Sequence, residues 1–79
     1  MAVVDLDTCG LDCPLPLLKA KQALNRMAVG ELLCVLATDP GSERDFAVFA
    51  RQSGHSLLES SEQDGTYRYL IRKEDARPS

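Results

Sequence analysis

The run Leu32-Leu33-Cys34-Val35-Leu36-Ala37 places the strongest constraint on how this chain can fold. Six consecutive apolar residues following a helical pattern read as a β-strand, central in its sheet and covered on at least one face. A chain of 79 residues has room for one compact core. The remaining segments must therefore supply both the neighbouring strands and the cover.

They do so in a regular order. Val3 to Asp7 is short and partly alternating, which suits a first strand. Thr8-Cys9-Gly10-Leu11-Asp12 breaks that pattern, and Gly10 permits a sharp turn. From Leu15 the apolar positions follow a helical period: Leu17, Leu18, Ala20, Leu24 and Met27 form a stripe opposite Lys19, Lys21, Gln22, Asn25 and Arg26. Gly30 is expected to stop that helix. Asp39-Pro40-Gly41 is a turn. Ser42 is the expected N-cap of a second helix, with Glu43 and Asp45 placing negative charge in its first turn. This helix buries Phe46, Phe49 and Ala50 and ends before Gly54. Ser56 to Gln63 and Thr66 to Lys73 form two strands joined at Asp64-Gly65, a strong hairpin signal. Tyr67, Tyr69 and Ile71 alternate with Arg68 and Arg72, leaving one face of the last strand wet.

The order is β-α-β-α-β-β. Right-handed crossovers place both helices on one face of a mixed four-stranded sheet, an α/β (α+β) two-layer sandwich. The other sheet face is left open to solvent or a partner. Residues 1–73 are expected to form a single domain, and 74–79 a frayed polar tail.

Composition narrows the functional classes. Hydrophobic content of 44% with 27% charged residues argues against disorder. A net charge of −3 gives no general attraction to nucleic acid or to an anionic membrane surface. No run approaches the ~18 apolar residues of a membrane span, and the N-terminal residues do not resemble a signal peptide. Three cysteines, an odd number, fit free thiols in a reducing cytoplasm.

The chemistry concentrates at Cys13-Pro14-Leu15-Pro16. Proline suits the first helical position because its missing N–H would have no intrahelical partner there. With Pro14 at that position, Cys13 becomes the N-cap, and Pro16 removes one of the two N–H groups that a cap normally uses. The Leu15 N–H is left to serve the Cys13 sulfur, and the helix dipole favours its thiolate. Asp12 opposes a second anion. The expectation is a modestly activated thiol. Its bland alternative is a small buried cap residue, a role that cysteine rarely fills.

The stretch from Leu6 to Pro16 resembles the opening of the TusA/SirA-like sulfur-carrier family, whose hallmark is a Cys-Pro-x-Pro box. The likeness continues through Gly30-Glu31, Ala37-Thr38-Asp39-Pro40, Arg44-Asp45, Gly54-His55 and Tyr69-Leu70-Ile71-Arg72-Lys73. The resemblance implies the same two-layer fold and a small carrier without a cofactor. It implies that Cys13 receives a sulfane sulfur as a persulfide, with Gly10, Asp12, Pro14, Leu15 and Pro16 shaping the site. The implied donor is a cysteine desulfurase or a rhodanese. The implied acceptor is a downstream protein in tRNA thiolation, molybdenum-cofactor maturation or sulfur metabolism. The best-studied carriers usually lack a cysteine where this chain has Cys9. Cys9 either resolves a Cys13 persulfide as a disulfide, giving a thiol-disulfide redox switch, or sits inward as a small apolar group.

Other residues carry weaker signals. Cys34 reads as core. Cys9, Cys13, Cys34 and His55 match a zinc site in number but not in spacing. His55 reads as a surface residue opening the third strand. Arg44 and Asp45 read as dipole compensation and solvation. Lys19, Lys21 and Arg26 form a basic side that reads first as a solvated face and second as a means of steering an acidic partner toward the thiol. A pure interaction domain using the open sheet face is a third reading.

Overall fold

The structure, a computed structural model, describes residues 3–75. It contains β1 (Val3–Thr8), α1 (Leu15–Asn25), β2 (Leu32–Ala37), α2 (Ser42–Ser53), β3 (Ser56–Gln63) and β4 (Thr66–Arg72). The sheet order is β1-β2-β4-β3. β1 runs parallel to β2, with Val3 opposite Leu32 and Thr8 opposite Ala37. β4 is antiparallel to both β2 and β3. The apolar run therefore lies inside the sheet, as its composition requires.

Alternation along the strands separates two faces. Leu33, Val35 and Ala37 of β2 join Tyr69 and Ile71 of β4 in a buried cluster with Ala20, Leu24 and Met27 from the α1 segment and Phe46 and Phe49 from α2. Phe46 stacks on Tyr69 with ring centroids 4.5 Å apart. Both helices thus cover one face, as expected. Cys34 is buried too, but it alternates to the opposite face, between Asp5 of β1 and Leu70 of β4. β3 and β4 meet through Asp64 (φ 52°) and Gly65 (φ 82°), the paired positive dihedrals of a tight two-residue hairpin. A bulge between Leu57 and Glu59 interrupts the register of edge strand β3.

Several local expectations are corrected. The α1 stripe turns away from Leu18, which is exposed, and includes Pro16, which is buried. Each helical residue advances about 100°, so Leu18 lies about 200° round the helix from both Pro16 and Ala20 and points outward. Gly30 does not end α1. The helix stops at Asn25 with Arg26 as its C-cap. Gly30, at φ 94°, instead turns the chain into β2 and donates its N–H to the Lys73 carbonyl. Ser42 is not an N-cap: Gly41 holds that position, and the buried Ser42 hydroxyl is hydrogen-bonded to Tyr69 Oη at 2.7 Å. The core hydroxyl of Tyr69 needs a partner, and Ser42 supplies it.

No basic residue in the last turn of α1 closes its free carbonyls. Lys73, just past β4, does so from a distance. Its Nζ donates to the Leu24 carbonyl at 2.5 Å and the Met27 carbonyl at 2.7 Å. A cation on orphan C-terminal carbonyls is the favourable arrangement for a helix end. Lys73→Met should cost about 1–2 kcal/mol, read as a lower urea midpoint with unchanged slope. An unchanged midpoint would show that these contacts add nothing to stability.

Glu74, assigned to the tail by sequence, is anchored. Its carboxylate accepts from Ser56 Oγ and from Arg72 Nε, the latter at 2.8 Å, and its N–H donates to His55 Nδ1 at 3.1 Å. Residues 76–79 of that expected tail lie outside the described residues.

Candidate functional site

β1 and β2 are parallel neighbours, so their C-terminal ends reach the same edge of the sheet. The β1–α1 and β2–α2 loops therefore leave side by side, an arrangement that commonly gathers functional groups. Thr8 and Gly10 tie them together. Thr8 Oγ1 donates to the Leu36 carbonyl at 2.5 Å, and the Gly10 N–H donates to Thr38 Oγ1 at 2.8 Å. Gly10 has φ 84°, a conformation that favours glycine.

Cys13 stands exposed at this edge, and the Cys13–Pro14 peptide is cis. The helix start is displaced by one residue from the sequence expectation. Pro14 is the N-cap, Leu15 the first helical residue and Pro16 the second. The Leu15 N–H donates to the Asp12 carbonyl at 2.8 Å and so does not serve the sulfur. Both prolines still fall where no intrahelical N–H is needed.

The sulfur finds a different partner. Cys13 Sγ donates to Asp45 Oδ2, in the first turn of α2, at 2.6 Å. That hydrogen bond exists only for the protonated thiol. Together with some loss of hydration and the negative charges of Asp45 and Asp39, it pushes the thiol from its ordinary 9.0 up to about 11. The expected activation is thus reversed. A helix N-terminus carries roughly half a positive charge spread over several groups, whereas a full carboxylate sits in contact with the sulfur. The carboxylate wins.

Asp39 approaches from the β2–α2 turn. Its carbonyl accepts the Ser42 N–H at 3.0 Å, while its Oδ2 is buried without a hydrogen-bond partner. Gly41 separates the two groups. A Cβ there would lie 3.0 Å from Asp39 Oδ2 and 4.0 Å from Cys13 Sγ, so the absent side chain lets carboxylate and thiol share this corner. Sequence reasoning placed Asp45 with helix charge and Asp39 and Gly41 with a turn. It had no access to the crossing of the loops.

Cys9 is exposed rather than inward, because Thr8 takes the buried place at the end of β1. The Cys9 N–H donates to Asp7 Oδ1 at 2.9 Å, and hydrogen bonding to Asp7 raises the Cys9 thiol. Asp12 is exposed and contributes its carbonyl. His55 is half-buried, not a free surface residue, and burial with the nearby Lys73 charge holds its imidazole below the ordinary range. Among the described residues, no group of three His, Cys, Asp or Glu side chains is placed to hold a metal ion.

Between α1 and α2, beginning at Asp45, runs a groove floored by Leu17, Val48 and Phe49 and flanked by Lys21 and Arg44. The Lys21 ammonium lies 5.5 Å from the centre of the Phe49 ring. Lys21, one of the basic residues of α1, thus lines this groove.

Residues 4–73 match the family model described as Sulfurtransferase TusA. The chain belongs to the TusA family. Among curated relatives, it is 54% identical over 69 residues to the sulfur carrier protein TusA of Allochromatium vinosum, covering 87% of this chain and 91% of that one. A putative sulfur carrier protein of Neisseria meningitidis serogroup A is 54% identical over 67 residues, covering 85% and 90%. The crystal structure of a SirA-like protein from Desulfitobacterium hafniense superposes with a TM-score of 0.80 at 26% identity, covering 94% of this chain and all of that one. The TusA-family fold, with its mixed four-stranded sheet and two helices, is therefore shared with a solved structure as well as with the sequence relatives.

Proposed function

We propose that this TusA-family protein is a sulfur carrier that accepts a sulfane sulfur on Cys13 and relays it as a persulfide to an acceptor protein. The observation that carries this reading is the exposed Cys13 thiol within a Cys-Pro-x-Pro box, at the edge where two loops and a helix start converge. The names of the curated relatives, sulfur carrier proteins, support it. A carrier must be reached by a donor and then by an acceptor, and an exposed thiol suits both.

In this reading, residues 1–73 act as one carrier domain in a reducing cytoplasm. Cys13 attacks the terminal sulfur of a persulfide on a cysteine desulfurase or rhodanese, releasing the donor thiol. The acceptor belongs to tRNA thiolation, molybdenum-cofactor maturation or sulfur metabolism. Pro14 and Pro16 fix the backbone that presents the sulfur, and Gly10 holds the loop to Thr38. No direct contact with nucleic acid or membrane is required.

The test is the intact mass of reduced protein after incubation with a cysteine desulfurase, pyridoxal phosphate and cysteine, or with a rhodanese and thiosulfate. A DTT-reversible gain of one sulfur atom, mapped to the peptide bearing Cys13, is expected. Absence of the gain with both donors would overturn the reading. The exposure of Cys9 favours one second reading, a Cys9–Cys13 redox pair. It predicts loss of two hydrogens under mild oxidant, dependent on both cysteines.

A further inference from the structure

We infer that Asp45 acts directly on the reacting sulfur in the transfer step, accepting the hydrogen bond of the idle Cys13 thiol and receiving its proton when a donor is attacked. This rests on the persulfide reading above for its chemistry, but on independent geometry for its residue. Asp45 Oδ2 is the acceptor 2.6 Å from Cys13 Sγ. The charged groups that act on the thiol are acidic: Asp45 from α2 and Asp39 from the β2–α2 turn. Among the described residues, no ion pair joins any of these carboxylates to a Lys or Arg. Arg44 and Lys21 flank the groove beyond Asp45 rather than the sulfur.

The step balances without an outside oxidant or reductant. As the donor R–S–SH approaches, the Cys13 proton passes to Asp45 and Sγ attacks the terminal sulfur. The new S–S bond forms as the R–S bond to that sulfur breaks. The electron pair leaves with R–S⁻, which takes the proton from Asp45. Cys13–SH and R–S–SH become Cys13–S–SH and R–SH. Between transfers, the carboxylate suppresses the thiolate, the form that oxidises and is alkylated. An exposed carrier thiol is thereby kept from reacting with the wrong partner.

The experiment follows iodoacetamide alkylation against pH by intact mass, with Cys9→Ser as the background so that Cys13 is read alone. Asp45→Asn should lower the midpoint toward that of an ordinary cysteine. A fall of two pH units raises the thiolate fraction at neutral pH ~100-fold. The lower nucleophilicity of the less basic thiolate returns about tenfold of that, leaving alkylation ~10-fold faster. Asp39→Asn should move the midpoint the same way but less, and Asp45→Glu should keep it high. Circular dichroism confirms that each variant is folded. An Asp45→Asn midpoint equal to or above that of the background protein would overturn the assignment. Sulfur loading is scored separately. Failure of the parent chain to load, with a shifted profile, removes the carrier reading alone; an unmoved profile with normal loading removes Asp45 alone.

Discussion

Cys13→Ser should lose DTT-reversible sulfur loading completely while melting within a degree or two of the parent protein. A serine hydroxyl cannot form a persulfide, so no residual carrier function is expected from the position itself. It does keep the size of the side chain and still donates a hydrogen bond toward Asp45 Oδ2. Cys13 is exposed, and exposed substitutions of this kind usually change stability by under about 0.5 kcal/mol. Cys9→Ser should load normally, because Cys9 points to solvent from its own turn and contributes nothing to the Cys13–Asp45 contact. Loading that survived Cys13→Ser on another cysteine would defeat the assignment. A large fall in melting temperature would show that the thiol has a structural role the geometry does not reveal.

Phe46→Ala should be the most damaging single change to the fold. Phe46 is fully buried in α2 and stacked on Tyr69, which is itself fully buried at the centre of the sheet. Truncating a buried phenylalanine costs about 3–5 kcal/mol. The whole stability of a domain is only about 5–15 kcal/mol, and small domains sit toward the low end. At about 4–8 °C per kcal/mol for a chain of this size, the melting temperature should fall by well over 10 °C. Leu18→Ala provides the contrast, since Leu18 is 46% exposed; it should shift the urea midpoint little. Equal losses in the two variants would mean that the apolar stripe read from sequence, rather than the packing observed, describes the core.

The comparison between Phe46 and Leu18 shows what was legible in the sequence. Strand and helix identity came through because periodicity and turn chemistry are local: the run at 32–37, the Asp64-Gly65 hairpin and the prolines beside Cys13 each report on their own neighbourhood. The place of Cys13, just before the first helix, was readable for the same reason. Its protonation state was not. Asp45 lies 32 residues further along the chain and reaches the sulfur only because β1 and β2 pair in parallel and set two loops side by side. The one-residue displacement of the cap had a similar effect, since it assigned the Leu15 N–H to a carbonyl instead of the sulfur. Lys73 was equally opaque: a residue after the last strand closes the end of the first helix, a contact that no helical pattern encodes.

The two outer strands of the sheet carry a further consequence. β1 exposes Asp5 and Asp7, while β3 exposes Glu59 and Glu62 and is broken by its bulge. Unpaired strand edges invite the addition of strands from other molecules, and charge or irregularity along them discourages it. Two copies brought edge to edge would set carboxylates against carboxylates over the length of the would-be ladder. Both edges of the sheet are thereby discouraged from becoming templates on which further copies of the chain could add strands.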